Sequence, residues 1–597
     1  MPAPQDEGLA PSGSRANESR TLTQMSAPDP VWFGSRSRPL AGYVHRPAGA
    51  VSGGVLICAP FGYEAVCAHR SLRRLADLLA ADGLIALRFD YEGAGQSSGT
   101  GHEEDLLSRW QDDVASGIAE LRRLGVTRPA LAGLRLGASL ALAAAAHDRE
   151  VGPIALWSPL TSGARYYREL RGHAAVTSGG VLSDGSLNVT GHLVSPSFAS
   201  ELRAFRPLTD VPPELELLLI DSPGFRDYGR AAADLRDAGL EPSVIDMPGT
   251  AEVIEEDAEL VAIPEALLNR MSRWIAQRSS RAPVEHDTDD SQFGPVVEFD
   301  GGAGVIREEI VRIHGLHGVW TEPPSTRDGR GVIFLNNGAA GAEGPGRAWV
   351  QFARTLAAGG VSSLRFDQSG LGESPNPKGR LTRRPKVVAR TTGPEILNAV
   401  SWMRDRGVGN ITVVGLCSGA QVAVRLFAFD GQVENIVSIN PPLFSLRDIG
   451  VGPIVRLLWD YLTYPMRKDK ARRVLHHIPA WLWKGLDALW IYPLPARFLR
   501  RVADRGIRLH LVFGDHDKGI VDIQCRGSDG VERLVSEHRI GLEIVEDMDH
   551  SMFNHSSRSR VLATLHRSLE AAQLAAPQFA IDDVSERIAG CRPISTT

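Results

Sequence analysis

The 597-residue chain is poor in cysteine, with five residues at positions 58, 67, 417, 525 and 591 and no C-x-x-C pair among them. A disulfide framework and a zinc site are therefore not expected, and a thiol-reducing, cytoplasmic setting is. Long apolar runs are also missing: none approaches the roughly 18 residues of a spanning helix, so no integral membrane segment is expected. The formal net charge is −6 and there is no long Lys/Arg block, which excludes an electrostatic case for nucleic acid. Glycine-rich GAGQSSG at 93–99 lacks the spacing of a dinucleotide loop, and neither a cofactor nor a metal is implied.

What the chain does contain is itself twice. LRFDYEGAGQSS at 87–98 returns as LRFDQSGLGESP at 364–375, a shift of 277 residues. In the same order LAGYVHRP (40–47) meets LHGVWTEP (316–323), VLICAPFG (55–62) meets VIFLNNGA (332–339), AGLRLGA (132–138) meets VGLCSGA (414–420), and ALWSPL (155–160) meets SINPPL (438–443). The expected organisation is a disordered leader at 1–30, copy one at 31–276, a polar linker at 277–294, copy two at 295–574 and a tail at 575–597. Intramolecular pairing of the copies is expected, and the oligomeric state is left open.

In copy two, GVIFLNN, VSSLRFD, ITVVGLC, NIVSIN, RLHLVFG and LEIVED read as strands, whereas AWVQFARTLAAG, EILNAVSWMRDR and SGAQVAVRLFAF have helical period. Such alternation predicts an α/β fold, a mostly parallel sheet flanked by helices.

One strand ends in Gly415-Leu416-Cys417-Ser418-Gly419-Ala420 and runs into a helix. The pattern is that of a nucleophile elbow with cysteine at the centre. Two glycines permit the cramped turn, the central side chain projects above the sheet, and the helix N-terminus supplies a positive field. Downstream, FGDHDKG offers Asp515 and Asp517, with Asp517 preferred because it is set back on the loop, and EDMDHSMF offers His550. The order nucleophile, acid, histidine is the one such elbows require. A thiolate attacks acyl carbon, histidine moves the proton, and a carboxylate fixes the imidazole tautomer. The backbone N–H of Ser418, with one from Gly338 or Ala339, is expected to hold the oxyanion. The competing reading of Cys417 is a buried structural thiol in a tight turn.

These motifs together resemble the α/β-hydrolase superfamily, most closely its serine-aminopeptidase-like and exosortase-associated members, which carry a run similar to LRFDQSGLGES. The resemblance implies two tandem α/β-hydrolase domains, each with a cap insertion, and a loop-shaping role for Asp367, Gly370 and Gly372. Cysteine replaces the usual serine at 417, as in dienelactone hydrolases and polyhydroxyalkanoate synthases. It implies an acyl-cysteine intermediate and either hydrolysis or acyl transfer on an ester or thioester that is small or carrier-bound. A non-catalytic scaffold is the rival from another class.

Copy one reads as a degenerate relative. Arg135 stands where Cys417 stands, Pro223 faces Asp517 and Gly249 faces His550 in the repeat alignment. Arg135 is expected to pair with an internal carboxylate such as Asp90 or Glu92, or else to hold an anion at a helix N-terminus. In copy two the segment 441–505 is expected to form a helical cap, with Trp459, Tyr464 and Trp483 lining an acyl pocket or packing the cap onto the core.

Overall fold

A computed structural model describes residues 27–570 apart from 178–179, 222–227, 249–250, 256, 280–292, 301–303, 324–328, 339, 377–390, 443–481, 483–484, 486–494, 516, 521–522 and 524–527. In copy one the strands are β1 (Asp29–Ser35), β2 (Arg38–His45), β3 (Gly53–Cys58), β4 (Leu84–Phe89), β5 (Ala130–Leu134), β6 (Ile154–Trp157), a small hairpin of β7 (Leu187–Val189) and β8 (His192–Val194), then β9 (Leu217–Asp221) and β10 (Ser243–Asp246). Its main sheet runs β1-β2-β4-β3-β5-β6-β9-β10, with β1 and β2 antiparallel and the rest parallel. β1 begins at Asp29, inside the span expected to be leader.

Copy two repeats this plan with β11 (Val296–Asp300), β12 (Val305–Ile313), β13 (Leu316–Glu322), β14 (Arg330–Phe334), β15 (Ser362–Phe366), β16 (Asn410–Leu416), β17 (Asn435–Ile439), β18 (Arg508–Gly514) and β19 (Gly541–Val545). The order is β11-β12-β13-β15-β14-β16-β17-β18-β19, again antiparallel at the start and parallel from β15 onward. All six strands expected in copy two are present. Their apolar runs are unbroken because both faces are covered: in β16, Ile411 and Val413 enter one core while Val414 and Leu416 enter the other. The β11–β12 hairpin was not anticipated. It carries Phe299, Ile306 and Ile310 against Trp32 and Ala41 of copy one.

The relevant helices are α1 (Tyr63–Ala81), α2 (Leu136–His147), α3 (Ala348–Ala358), α4 (Ser418–Phe427) and α5 (His555–Glu570). Arg347 at the start of α3 and Arg73 in the middle of α1 join the copies through carbonyls of corresponding loops. Arg347 donates to the carbonyls of Gly95 (2.9 Å), Gly99 (2.7 Å) and Ser97. Reciprocally, Arg73 donates to those of Gly372 (2.6 Å) and Ser374 (3.2 Å), the repeat partners of Gly95 and Ser97. Arg88 adds a buried ion pair with Glu373 at 2.7 Å. The copies thus meet much as the halves of a two-fold dimer do. Among the described residues no helix is long and apolar enough to cross a membrane.

Candidate active site

Cys417 ends β16 and opens α4 with φ 52° and ψ −117°, a conformation that L-residues rarely adopt. The turn holds because nothing but hydrogen fits at its flanks. A Cβ on Gly415 would meet Ala420 N at 2.5 Å, and one on Gly419 would meet Asn336 O at 2.5 Å. The N–H of Cys417 donates to Ile439 O at 2.9 Å, fixing the elbow to the neighbouring strand.

Asp517 follows β18 and is buried, and His550 follows β19 with its ring half-exposed. Their side chains meet with His550 Nδ1 2.5 Å from Asp517 Oδ2, while Asp517 Oδ1 accepts from Gly519 N at 2.6 Å. Asp517 first, then Cys417, raise the imidazole from 6.5 to about 10 against the opposing effect of burial. The acid in contact with His550 is therefore Asp517, and Cys417 is near enough to the imidazole to help raise it.

A residue that was not singled out holds this pair in place. Asn440, buried at the end of β17 with φ 44°, donates through Nδ2 to Asp549 O (3.2 Å) and His550 O (3.0 Å). Its Oδ1 accepts from Gly514 N at 2.9 Å. One side chain thus ties the loop carrying His550 to the strand leading to Asp517. The sequence signal was present in the pairing of SINPPL with ALWSPL, but Asn in such a segment reads as an ordinary turn residue. Copy one braces the same loop from outside: Asn188 Nδ2 donates to Phe553 O (3.0 Å), and Arg558 and His555 Nε2 both reach Gly191 O at 3.0 Å.

The oxyanion expectation needs revision at one residue. The N–H of Gly338 donates to Ser418 Oγ at 3.1 Å, so it is engaged by that hydroxyl and not directed at the space above Cys417. A Cβ on Gly338 would lie 2.4 Å from Glu259 Oε1, so a copy-one side chain also crowds this loop. Ala339 lies outside the described residues, as do Trp459, Tyr464 and Trp483 of the expected cap. Ser418 directly follows Cys417 and is the first residue of α4. Asp367 accepts from Asn336 Nδ2 (3.1 Å) and Glu373 N (2.9 Å), and a Cβ on Gly372 would strike it at 2.2 Å, which is the loop-shaping arrangement the resemblance implied.

Arg135 has φ 53° and ψ −120°, within a few degrees of Cys417. Both copies have the α/β-hydrolase fold. In copy one, however, the elbow carries a guanidinium that donates to Glu169 Oε1 (2.5 Å) and Glu64 Oε1 (3.4 Å) and lies over the ring of Tyr166. The expected partners Asp90 and Glu92 are not the ones used. Asp90 accepts from Gln96 N at 2.9 Å, and Glu92 pairs with Arg38 and Arg109. Two carboxylates from flanking helices thus neutralise Arg135, so the expected alternative of an anion held by this guanidinium is not favoured. Pro223 and Gly249 lie outside the described residues.

No protein-family model and no curated protein matches the chain. Solved structures similar to it include the esterase Est1E of Butyrivibrio proteoclasticus with bound ferulic acid, at 16% identity over 41% of this chain and 98% of that one, TM-score 0.34. The Pyrococcus furiosus esterase Pf2001 is 14% identical over 43% of this chain and 92% of its own, TM-score 0.31. The proline iminopeptidase of Mycobacterium smegmatis is 14% identical over 42% of this chain and 98% of its own, TM-score 0.30.

Proposed function

We propose that copy two is an acyl hydrolase or acyltransferase that works through an acyl-Cys417 intermediate on a carboxylic ester or thioester. The observation that carries this reading is the Asp517–His550 hydrogen bond beside Cys417 at a strained strand-to-helix elbow. His550 can accept the Cys417 thiol proton as the sulfur engages the acyl carbon. Cys417 Sγ attacks the acyl carbon, and the N–H of Ser418, at the start of α4, faces the developing oxyanion. As the carbon–heteroatom bond breaks, His550 delivers its proton to the departing alkoxide or thiolate. Neutral His550 then takes a proton from the acceptor, which attacks the thioester and frees Cys417. Asp517 holds the Nδ1 tautomer and stabilises the imidazolium throughout.

A thioester intermediate is open to amines and thiols as well as water, so the acceptor decides between hydrolysis and transfer. The elbow of copy one carries Arg135 in place of a nucleophile, and the contacts of the β7–β8 hairpin with the segment 553–558 support a bracing role for copy one. The test is an intact-protein mass spectrum after brief exposure to a p-nitrophenyl ester or an acyl thioester, followed by water alone or by an added amine. A mass gain absent from Cys417→Ala supports the reading. Rapid loss in water then assigns hydrolysis, and persistence until the amine is added assigns transfer. A mass gain equal in native and Cys417→Ala protein contradicts the reading.

A further inference from the structure

Away from that site, the two copies enclose a cavity of about 160 Å³ to which Cys417, Asp517 and His550 contribute nothing. Copy one supplies Phe61 and Trp110, whose rings lie 5.8 Å apart, together with Ala65 of α1. The β7–β8 turn adds Gly191 and His192, and copy two adds Gly346, Arg347 and His555.

The charge on this wall is unbalanced. Arg347 is 4% exposed, and its guanidinium donates to the carbonyls of Gly95, Ser97 and Gly99. Arg558, 3% exposed and directly behind Gly191 and Gly346, donates to the carbonyls of those two residues and of Met552. Neither guanidinium forms an ion pair among the described residues, whereas the neighbouring Arg354 pairs with Glu308 and Arg88 with Glu373. Glu308 and Glu103 act on Arg347 and Asp549 acts on Arg558 without forming an ion pair with it, so the direct partners of both charges are carbonyl dipoles. A buried charge held in this way is costly, and a cavity beside it gives an anion room to balance it.

His192 adds an unpartnered polar atom to the wall, because its Nε2 is buried without a hydrogen-bond partner. Burial, then Arg558, His555 and Arg347, hold its imidazole down at about 3. The acidic groups of the cavity are already engaged. Glu373 is bound by Arg88 and His69, Asp367 by Asn336 and the Glu373 amide, and Asp90 by the Gln96 amide. Burial pushes Glu343 up to about 7, which reduces its negative charge near neutral pH.

We infer that this cavity binds a small carboxylate bearing one aryl ring or a short alkyl chain, its carboxylate toward Arg347 and His192 and its apolar part against Phe61 and Trp110. The size agrees, since an apolar cavity of about 150 Å³ accepts a benzene ring. The inference stands apart from Cys417 chemistry and does not require turnover.

Calorimetric titration of the full-length protein with benzoate tests it, with benzamide as the uncharged isostere, acetate as the anion without a ring, and inorganic phosphate as a generic anion. Saturable one-to-one benzoate binding is expected, with benzamide, acetate and phosphate each weaker by about tenfold or more, as loss of a charge-assisted contact or of the ring requires. Ala65→Phe, which fills the cavity, should abolish the benzoate heat while circular dichroism stays native. If that variant does not fold, His192→Leu takes its place and should weaken benzoate about tenfold. No saturable benzoate binding, equal binding of benzamide or phosphate, or undiminished binding to the folded variant overturns the inference.

Discussion

Cys417 and Arg135 occupy the same backbone conformation, φ 52° and ψ −117° against φ 53° and ψ −120°, at the same place in two copies of one fold. Each N–H donates to the adjacent strand, Cys417 to Ile439 O and Arg135 to Trp157 O, both at 2.9 Å. The turn is therefore the same in both copies although its central side chain is not. Its glycines still hold: a Cβ on Gly137 would lie 2.3 Å from the carbonyls of Cys58 and Ala59. What differs is the chemistry placed on the turn.

That contrast predicts that restoring a thiol is not enough. In a Cys417→Ala background, Arg135→Cys should gain no acyl adduct by intact mass after ester treatment. It should also lower thermal stability, because Glu64 and Glu169 lose the guanidinium that binds them. Glu64 is already pushed up to about 7 by burial, with Arg135 opposing that rise.

Asp517→Asn should slow kcat by roughly two to four orders of magnitude, since the carboxylate sets the tautomer and supports the imidazolium. Asp517 is the largest contributor to the raised pKa of His550, so its loss lowers that pKa. The alkaline limb of the rate profile should then move to lower pH. The stability sign is the same in origin: a histidine raised from 6.5 to about 10 contributes fully below 6.5 and loses that contribution as pH rises through 10. In Asp517→Asn the slope of stability with pH between those limits should flatten.

Asn440→Ala should reduce kcat by about 10- to 100-fold with little change in KM, because it frees the loop that positions His550 without touching the acyl pocket. Steady-state kinetics separate this from a general loss of folded protein, which would leave KM and per-molecule kcat alike unchanged.

Glu308→Gln addresses the fold and not the site. Glu308 lies at 0% exposure between Arg354 and Arg365, and although burial opposes it, the two guanidinium groups bring its carboxyl down to about 2. Removing its charge leaves Arg365 buried and unpaired, at a cost of about 3–5 kcal/mol by denaturant unfolding.

How much of this was legible in the chain depends on how local the cause is. The strands of copy two could be read because a sheet covered on both faces demands unbroken apolar runs such as ITVVGL and HLVFG. The elbow and the order Cys417, Asp517, His550 were legible because each sits at a strand end with a fixed motif. The β11–β12 hairpin was hidden by its charges, since Arg307, Glu308 and Glu309 interrupt the pattern, and the charge of Glu308 is matched by arginines far along the chain. Arg135 was assigned partners near a strand end, whereas its actual carboxylates come from two helices, a packing fact that no local pattern carries. Asn440 and the engagement of Gly338 by Ser418 were illegible for the same reason: each is a side-chain-to-backbone contact between segments distant in sequence.

The most direct measurement of the central claim is the rate of Cys417 alkylation by iodoacetamide at neutral pH, followed by peptide mass spectrometry in native, His550→Ala and Asp517→Asn proteins. Cys58 and Cys67 serve as internal standards, since burial pushes both thiols up to about 12. The account predicts that Cys417 reacts faster than either by orders of magnitude, and that this advantage drops at least tenfold without His550 and falls in part without Asp517. Equal labelling of Cys417 in native and His550→Ala proteins would contradict it.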